Sequence, residues 1–331
     1  VAESVLVAGA SGFAGALAAR LVHRHPHFEL AAVTSRSDAG RRLDDLYPHH
    51  RVPRVLEELD LDHHGDVDAA IVAYPHGASA PLVAALLQRG VRVVDLSADF
   101  RLRDVATYEE WYVEHPHPEL IADAVYGLPE LYRDALRGAT LTAGPGCFPT
   151  AAILALAPLA RAGLLADAIV DAKTGVSGAG RAATERTHFV AVDENVTPYG
   201  VGRHRHAPEI DQELAALGAP VTVTFVPHLL PIDQGELVSC YVTVDGDPGD
   251  VRALYDEAYA DEPFVEVVDR PPGVRDVRET NLCRLYVLAD PRTAKVMVFG
   301  VIDNLWKGTA SQAIQALNLM CGRPETEGLD A

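Results

Sequence analysis

The chain has 331 residues, enough for two domains with a sizeable core, and 48% are hydrophobic, with no apolar run of membrane-spanning length. A formal net charge of −19 argues against a nucleic-acid partner, because counterion release at a phosphate backbone needs clustered lysine and arginine. The four cysteines, Cys147, Cys240, Cys283 and Cys321, are widely spaced without a CxxC pair, so neither a metal site nor a disulfide framework is expected and a reducing cytoplasm is.

The first residues enter a strand pattern directly, with no basic segment or cleavage site to mark a targeting signal. Residues 4–8 predict a strand that feeds Gly9-Ala10-Ser11-Gly12-Phe13-Ala14-Gly15 and then a helix over 16–24. Strands are predicted at 28–34, 67–72 and 91–96, with a helix at 79–89 between the last two. This alternation implies a parallel sheet with right-handed crossovers, a Rossmann-type doubly wound nucleotide-binding domain over residues 1–146. Residues 99–138 are polar and rich in Tyr, His and Pro, and are expected to form loops and short helices over the sheet edge. An apolar run over 151–165 predicts a helix behind the turn Gly144-Pro145-Gly146-Cys147-Phe148-Pro149-Thr150. Strand signals then dominate, at 168–173, 221–227, 237–244, 264–268, 283–288 and 295–302, with helices at 209–217 and 249–260. Residues 147–302 are therefore expected to form an α+β catalytic and oligomerisation domain with a large mixed sheet. A C-terminal helix, 303–331, is expected to pack back on the first domain.

Four groups carry chemistry. Gly9, Gly12 and Gly15 follow a strand and open a helix: the first permits a tight turn, the second lets backbone approach a pyrophosphate, and the third allows close helix–strand packing. An ordinary glycine turn is the alternative. The second strand ends in Thr34-Ser35-Arg36-Ser37, with no acid before Asp38, which suits a 2′-phosphate and points to NADP(H). Cys147 stands at a helix N-terminus, where unpaired N–H groups and the helix dipole favour a thiolate; a small buried turn residue is the plainer reading. In Arg203-His204-Arg205-His206-Ala207-Pro208-Glu209, His206 precedes a helix start, with the Glu209 carboxylate in reach to orient it as a general acid/base. The loop Lys173-Thr174-Gly175-Val176-Ser177-Gly178-Ala179-Gly180-Arg181 offers backbone N–H groups to an anion or acyl oxygen, or is simply flexible. Arg101, after Asp95-Leu96-Ser97-Ala98-Asp99, lies at the ligand-binding edge of a parallel sheet and is a candidate anion clamp.

In order and spacing these motifs, with Pro227-His228-Leu229-Leu230-Pro231, resemble the N-acetyl-γ-glutamyl-phosphate reductases of the semialdehyde dehydrogenase family over nearly the whole chain. The resemblance implies NADPH-dependent reduction of an acyl phosphate to a semialdehyde through a Cys147 thioester, with His206 as acid/base. It also implies cofactor contacts at Gly9, Ser11, Gly12, Phe13, Gly15, Ser35, Arg36, Ser177, Gly178 and Asn304, and substrate or phosphate contacts at Arg101, Arg181 and His204. A small-molecule acyl phosphate or semialdehyde and a homodimer or homotetramer are the implied partners, with neither nucleic acid nor membrane. Phe148 stands where that family commonly has tyrosine, and Gln234 where it commonly has arginine. Rival readings are a reductase of carrier-protein-linked aminoadipyl or glutamyl phosphate, a cysteine acyltransferase or hydrolase, and a non-catalytic nucleotide sensor.

Overall fold

The computed structural model describes residues 2–329. The chain divides into two units, residues 2–145 with 309–329, and residues 146–308. In the first, β1 (Glu3–Ala8), β2 (Phe28–Thr34), β3 (Ala69–Val72), β4 (Arg92–Asp95), β5 (Ala124–Tyr126) and β6 (Leu141–Ala143) form one sheet in the order β2-β1-β3-β4-β6-β5. Every neighbouring pair is parallel. A parallel sheet covered on both faces needs apolar residues at successive positions, which is why β3 reads AAIV and is buried throughout. One layer of its core joins Leu6, Val72, Val83, Leu86, Val93 and Phe100.

Strand β5 lies in the stretch expected to be irregular. At three residues it is too short to show periodicity, and its extended backbone is held by pairing with β6. The C-terminal helix is also shorter than expected, Ser311–Met320, preceded by a π-turn over Trp306–Ala310. All ten of its residues are buried, and it packs against the helices Phe13–Arg24 and Pro129–Leu136 and against β4. The last residues of the expected helical tail, 330 and 331, lie outside the described residues.

The second unit holds β7 (Leu165–Thr174), β8 (Thr197–Pro198), β9 (Thr224–Leu229), β10 (Glu236–Val244), β11 (Val265–Val267), β12 (Cys283–Asp290) and β13 (Lys295–Ile302). They form a mixed sheet in the order β11-β12-β13-β10-β7-β9-β8. The helix Cys147–Arg161 lies on β7, β10 and β13, and everything from Phe148 to Ala160 is buried. It stops at Arg161 rather than running on to 165. Gly163 turns the chain at φ 68°, and Leu165 already opens β7. Pro158 inside this helix has no N–H for the Leu154 carbonyl one turn back. The Tyr259 hydroxyl donates to that carbonyl instead, and Tyr255 donates to the carbonyl of Ala155. Among the described residues no helix is long and apolar enough to cross a membrane.

Candidate active site

Cys147 is the first residue of its helix, and Gly146 before it has an extended backbone and offers no side-chain cap. The helix therefore begins at the thiol with its N–H groups pointing outward. A Cβ on Gly146 would stand 2.5 Å from His206 Nε2 and 2.8 Å from Cδ2 and Cε1, so the imidazole lies directly over the glycine. On the other side, a Cβ on Gly308 would stand 2.8 Å from Cys147 Cβ. The thiol-bearing residue is thus seated between two backbone positions that tolerate no side chain. Gly308 sits in the π-turn, where its N–H donates to the Asp303 carbonyl at 2.9 Å.

His206 caps the helix Ala207–Ala216, and Glu209 is in its first turn with a fully buried side chain. Glu209 Oε1 accepts the Gly146 N–H at 2.9 Å. The carboxylate expected to orient the histidine therefore fixes the turn that carries Cys147. The structure brings Cys147, His206 and Glu209 together around Gly146.

Two residues at this site were not expected. Glu236 opens β10, is fully buried, and faces the Cys147 thiol and the Thr174 hydroxyl, although neither carboxyl oxygen has a hydrogen bond of ordinary geometry. Burial pushes its carboxyl up to about 8, with Asp303 adding to the effect. Tyr199 lies close to Cys147 and Glu236, and burial pushes its hydroxyl up. A strand pattern marks position 236 only as inward-facing, and nothing in the local sequence separates a buried acid from a core residue.

His204 is not placed to hold an anion. Its ring packs at 5.2–5.8 Å from Phe148, Tyr199 and Phe225 and 4.9 Å from His206, and Nδ1 accepts the His206 N–H at 3.2 Å. Burial, with Arg205 nearby, lowers its pKa to about 4, so the ring is neutral at neutral pH. The 175–181 loop also differs from expectation. The N–H groups of Gly175, Val176, Ser177, Gly178 and Gly180 all donate to backbone carbonyls, leaving them committed rather than open to an anion. Ser177 Oγ donates to the Asp233 carbonyl at 2.7 Å and accepts from Asn304 Nδ2 at 3.0 Å, while Asn304 Oδ1 accepts the Gly235 N–H at 2.8 Å. Ser177 and Asn304 thus tie two loops together. Nothing but ordinary contact surrounds Gly178, and Arg181 is exposed at the loop's end. Arg278 donates to the Gln234 carbonyl at 3.0 Å, bringing a guanidinium to the loop where position 234 itself has none.

In the first unit, Gly9 has φ +84° and a Cβ there would meet the Ala73 carbonyl oxygen at 2.5 Å; at Gly15 one would meet the Gly9 oxygen at 2.3 Å. Around Gly12, the N-cap of the first helix, nothing lies closer than 3.7 Å. That open backbone and bare helix start fit a dinucleotide pyrophosphate. Phe13 opens the helix. Ser11 Oγ and Ser35 Oγ are 2.8 Å apart, and the Tyr47 hydroxyl donates to the Ser11 carbonyl. Arg36 is exposed and makes no ion pair among the described residues. Asp38 is buried and paired with Arg41 at 2.8 Å. Arg101 is only 5% exposed and donates to the carbonyls of Gly144 at 2.7 Å and Leu96 at 2.9 Å. It fastens the loops after β4 and β6, which favours a structural tie over the expected anion clamp. Glu57, His63 and His64 bring three potential ligand atoms within 4.8 Å, with His64 Nε2 3.2 Å from Glu57 Oε2.

Residues 4–139 match the family described as semialdehyde dehydrogenase, NAD binding domain, and residues 147–304 its dimerisation domain. The chain belongs to the semialdehyde dehydrogenase family. It is 48% identical to an N-acetyl-gamma-glutamyl-phosphate reductase of Alkalilimnicola ehrlichii, over 98% of this chain and 97% of the relative. A protein of that name from Rubrobacter xylanophilus is 49% identical over 99% and 98%. Among solved structures, aspartate semialdehyde dehydrogenase II from Vibrio cholerae superposes with a TM-score of 0.75 at 18% identity, covering 97% of this chain and 99% of that one. An aspartate semialdehyde dehydrogenase with NADP from Candida albicans gives 0.72 at 14% identity, covering 97% and 99%. Members of the semialdehyde dehydrogenase family are NAD(P)-dependent oxidoreductases, and the two-unit architecture with one parallel and one mixed sheet is theirs.

Proposed function

We propose that this chain reduces N-acetyl-γ-glutamyl phosphate to the corresponding semialdehyde with release of phosphate, using NADPH. The observation that carries this reading is the Cys147 thiol at a bare helix N-terminus with the His206 ring seated over the preceding glycine. The thiolate attacks the acyl carbon, the S–C bond forms, and the C–O bond to phosphate breaks, leaving a thioester on Cys147. The N–H groups that open the helix stabilise the developing oxyanion. NADPH, when bound, would supply the hydride that reduces the thioester carbon. His206 protonates the oxygen of the thiohemiacetal and takes that proton back as the C–S bond breaks, which returns the thiolate and releases the semialdehyde. Glu209, through Gly146, keeps thiol and imidazole in register.

Gly9, Gly12, Gly15, Ser11 and Phe13 would hold the pyrophosphate side of the cofactor. Ser35 and Arg36 would hold its 2′-phosphate, since the nearby carboxylate of Asp38 is taken up by Arg41. Exposed Arg181 and Arg278, with Arg186 beside Tyr199, give the second unit local positive charge for an anionic substrate against the acidic whole. The outward face of the mixed sheet, with Ile169, Tyr241, Tyr286, Leu288, Met297 and Phe299, is apolar enough to pair with a second copy, so we assign a homodimer as the minimal unit. None of the four cysteines forms a disulfide among the described residues, which fits a reducing compartment.

Replacing the nucleophile tests the scheme. Cys147→Ala should lower phosphate-dependent oxidation of the semialdehyde by NADP at least about 10³-fold while NADPH still binds. Turnover within tenfold of the unmodified chain would exclude a covalent cysteine.

A further inference from the structure

We propose that Glu236 is the proton partner of the Cys147 thiol, an inference that rests on the cysteine mechanism above. The carboxyl enters from the sheet beneath the helix. Glu236 is paired with Thr174 on β7 and Ile302 on β13, and its side chain is fully buried. With no hydrogen bond of ordinary geometry at either oxygen, its polar neighbours are the thiol of Cys147 and the hydroxyl of Thr174. Other titratable groups near this spot among the described residues are Asp303 and Tyr199, and His206 lies over the glycine before the thiol. The Asp303 carboxylate is already engaged, accepting N–H groups from Glu279, Leu305 and Trp306. A buried carboxylate without donors is costly, so Glu236 holds its proton to about pH 8, close to the range in which an ordinary thiol ionises.

A carboxylic acid and a thiol that face one another in a buried site lose their protons as a pair. After the first loss, the remaining proton is shared: the S–H bond breaks as an O–H bond forms, giving a thiolate that faces a neutral carboxylic acid. No other reactant is required. The acid O–H then donates to the thiolate, and His206 is left to serve the substrate oxygen alone.

The test is the pH dependence of iodoacetamide alkylation at Cys147, read by mass spectrometry of its peptide between about pH 5 and 10. It is run on the unmodified chain, on Glu236→Gln and on Glu236→Asp, beside NADPH-dependent turnover of each. The unmodified chain should give two steps with a partial plateau between them. Glu236→Gln, which keeps the volume but cannot titrate, should lose one of these steps, and Glu236→Asp should restore it at a shifted pH. A single step in the unmodified chain, superimposable on that of Glu236→Gln, overturns the proposal. Should Glu236→Gln fail to fold by circular dichroism, Glu236→Asp decides instead: an alkylation profile superimposable on that of the unmodified chain overturns the proposal. Two-step alkylation in a chain without reductase turnover would sink the functional reading and leave the proton pair standing, so the two failures are distinguishable.

Discussion

At Gly146 the absence of a side chain lets the His206 ring come within 2.5 Å of where a Cβ would stand, and Glu209 holds the same residue by its N–H. Geometry this tight explains why the motif is spelled with glycine before cysteine. Arg36 is a simpler case, a single exposed guanidinium without an ion pair among the described residues beside a strand end that lacks a free carboxylate. Arg36→Ala should weaken NADPH by about 10- to 100-fold, the value of one charge-assisted contact of about 1.5–3 kcal/mol, and leave NADH nearly unchanged in a fluorescence titration. His204 has a stability consequence. Its folded pKa of about 4 lies below the ordinary value of 6.5, so protonation favours the unfolded chain. Its full contribution is present above pH 6.5 and is lost as pH falls through about 4. The loss is on the order of 2–3 kcal/mol, and His204→Phe should flatten the fall of melting temperature over that window.

The helix Cys147–Arg161 carries Cys147 at one end and is buried from Phe148 to Ala160. Pro158 leaves the Leu154 carbonyl without its helical donor, and the Tyr259 hydroxyl takes over there. Tyr259→Phe leaves the buried Leu154 carbonyl without a donor, at a cost of about 1–3 kcal/mol. A drop in thermal midpoint with kcat/KM preserved is the expected outcome; no change in midpoint would show that the hydroxyl is dispensable. The π-turn Trp306–Ala310 is the other informative element. It places Gly308 against Cys147. Its sequence reads as the start of the following helix, because the fifth-residue bonding of a π-turn has no signature separate from helical periodicity.

For the molecule as a whole, the parallel sheet is buried and holds the nucleotide fingerprint, while the mixed sheet keeps an outward apolar face. That face should be covered by a second copy. Light scattering should return at least twice the protomer mass, and Tyr286→Asp together with Met297→Asp should shift it to one protomer. A single-protomer mass for the unmodified chain would remove the dimer assignment. The −19 charge does not forbid pairing through such a face, because Tyr286, Met297 and Phe299 carry no charge and the sheet's ion pairs, such as Arg284 with Glu266, are internally matched.

By itself the sequence determined the strand and helix order, the glycine fingerprint, and the cysteine and histidine helix starts. These are local patterns whose physics acts within a turn or two of chain. Only tertiary structure decided that Glu236 and Tyr199 lie near the thiol and that burial lowers the pKa of His204. The same holds for Arg101, Ser177 and Asn304, which spend their donors on backbone or on one another. Burial and long-range contact set the protonation and the free hydrogen-bonding capacity of a side chain, and neither is written in its immediate neighbours.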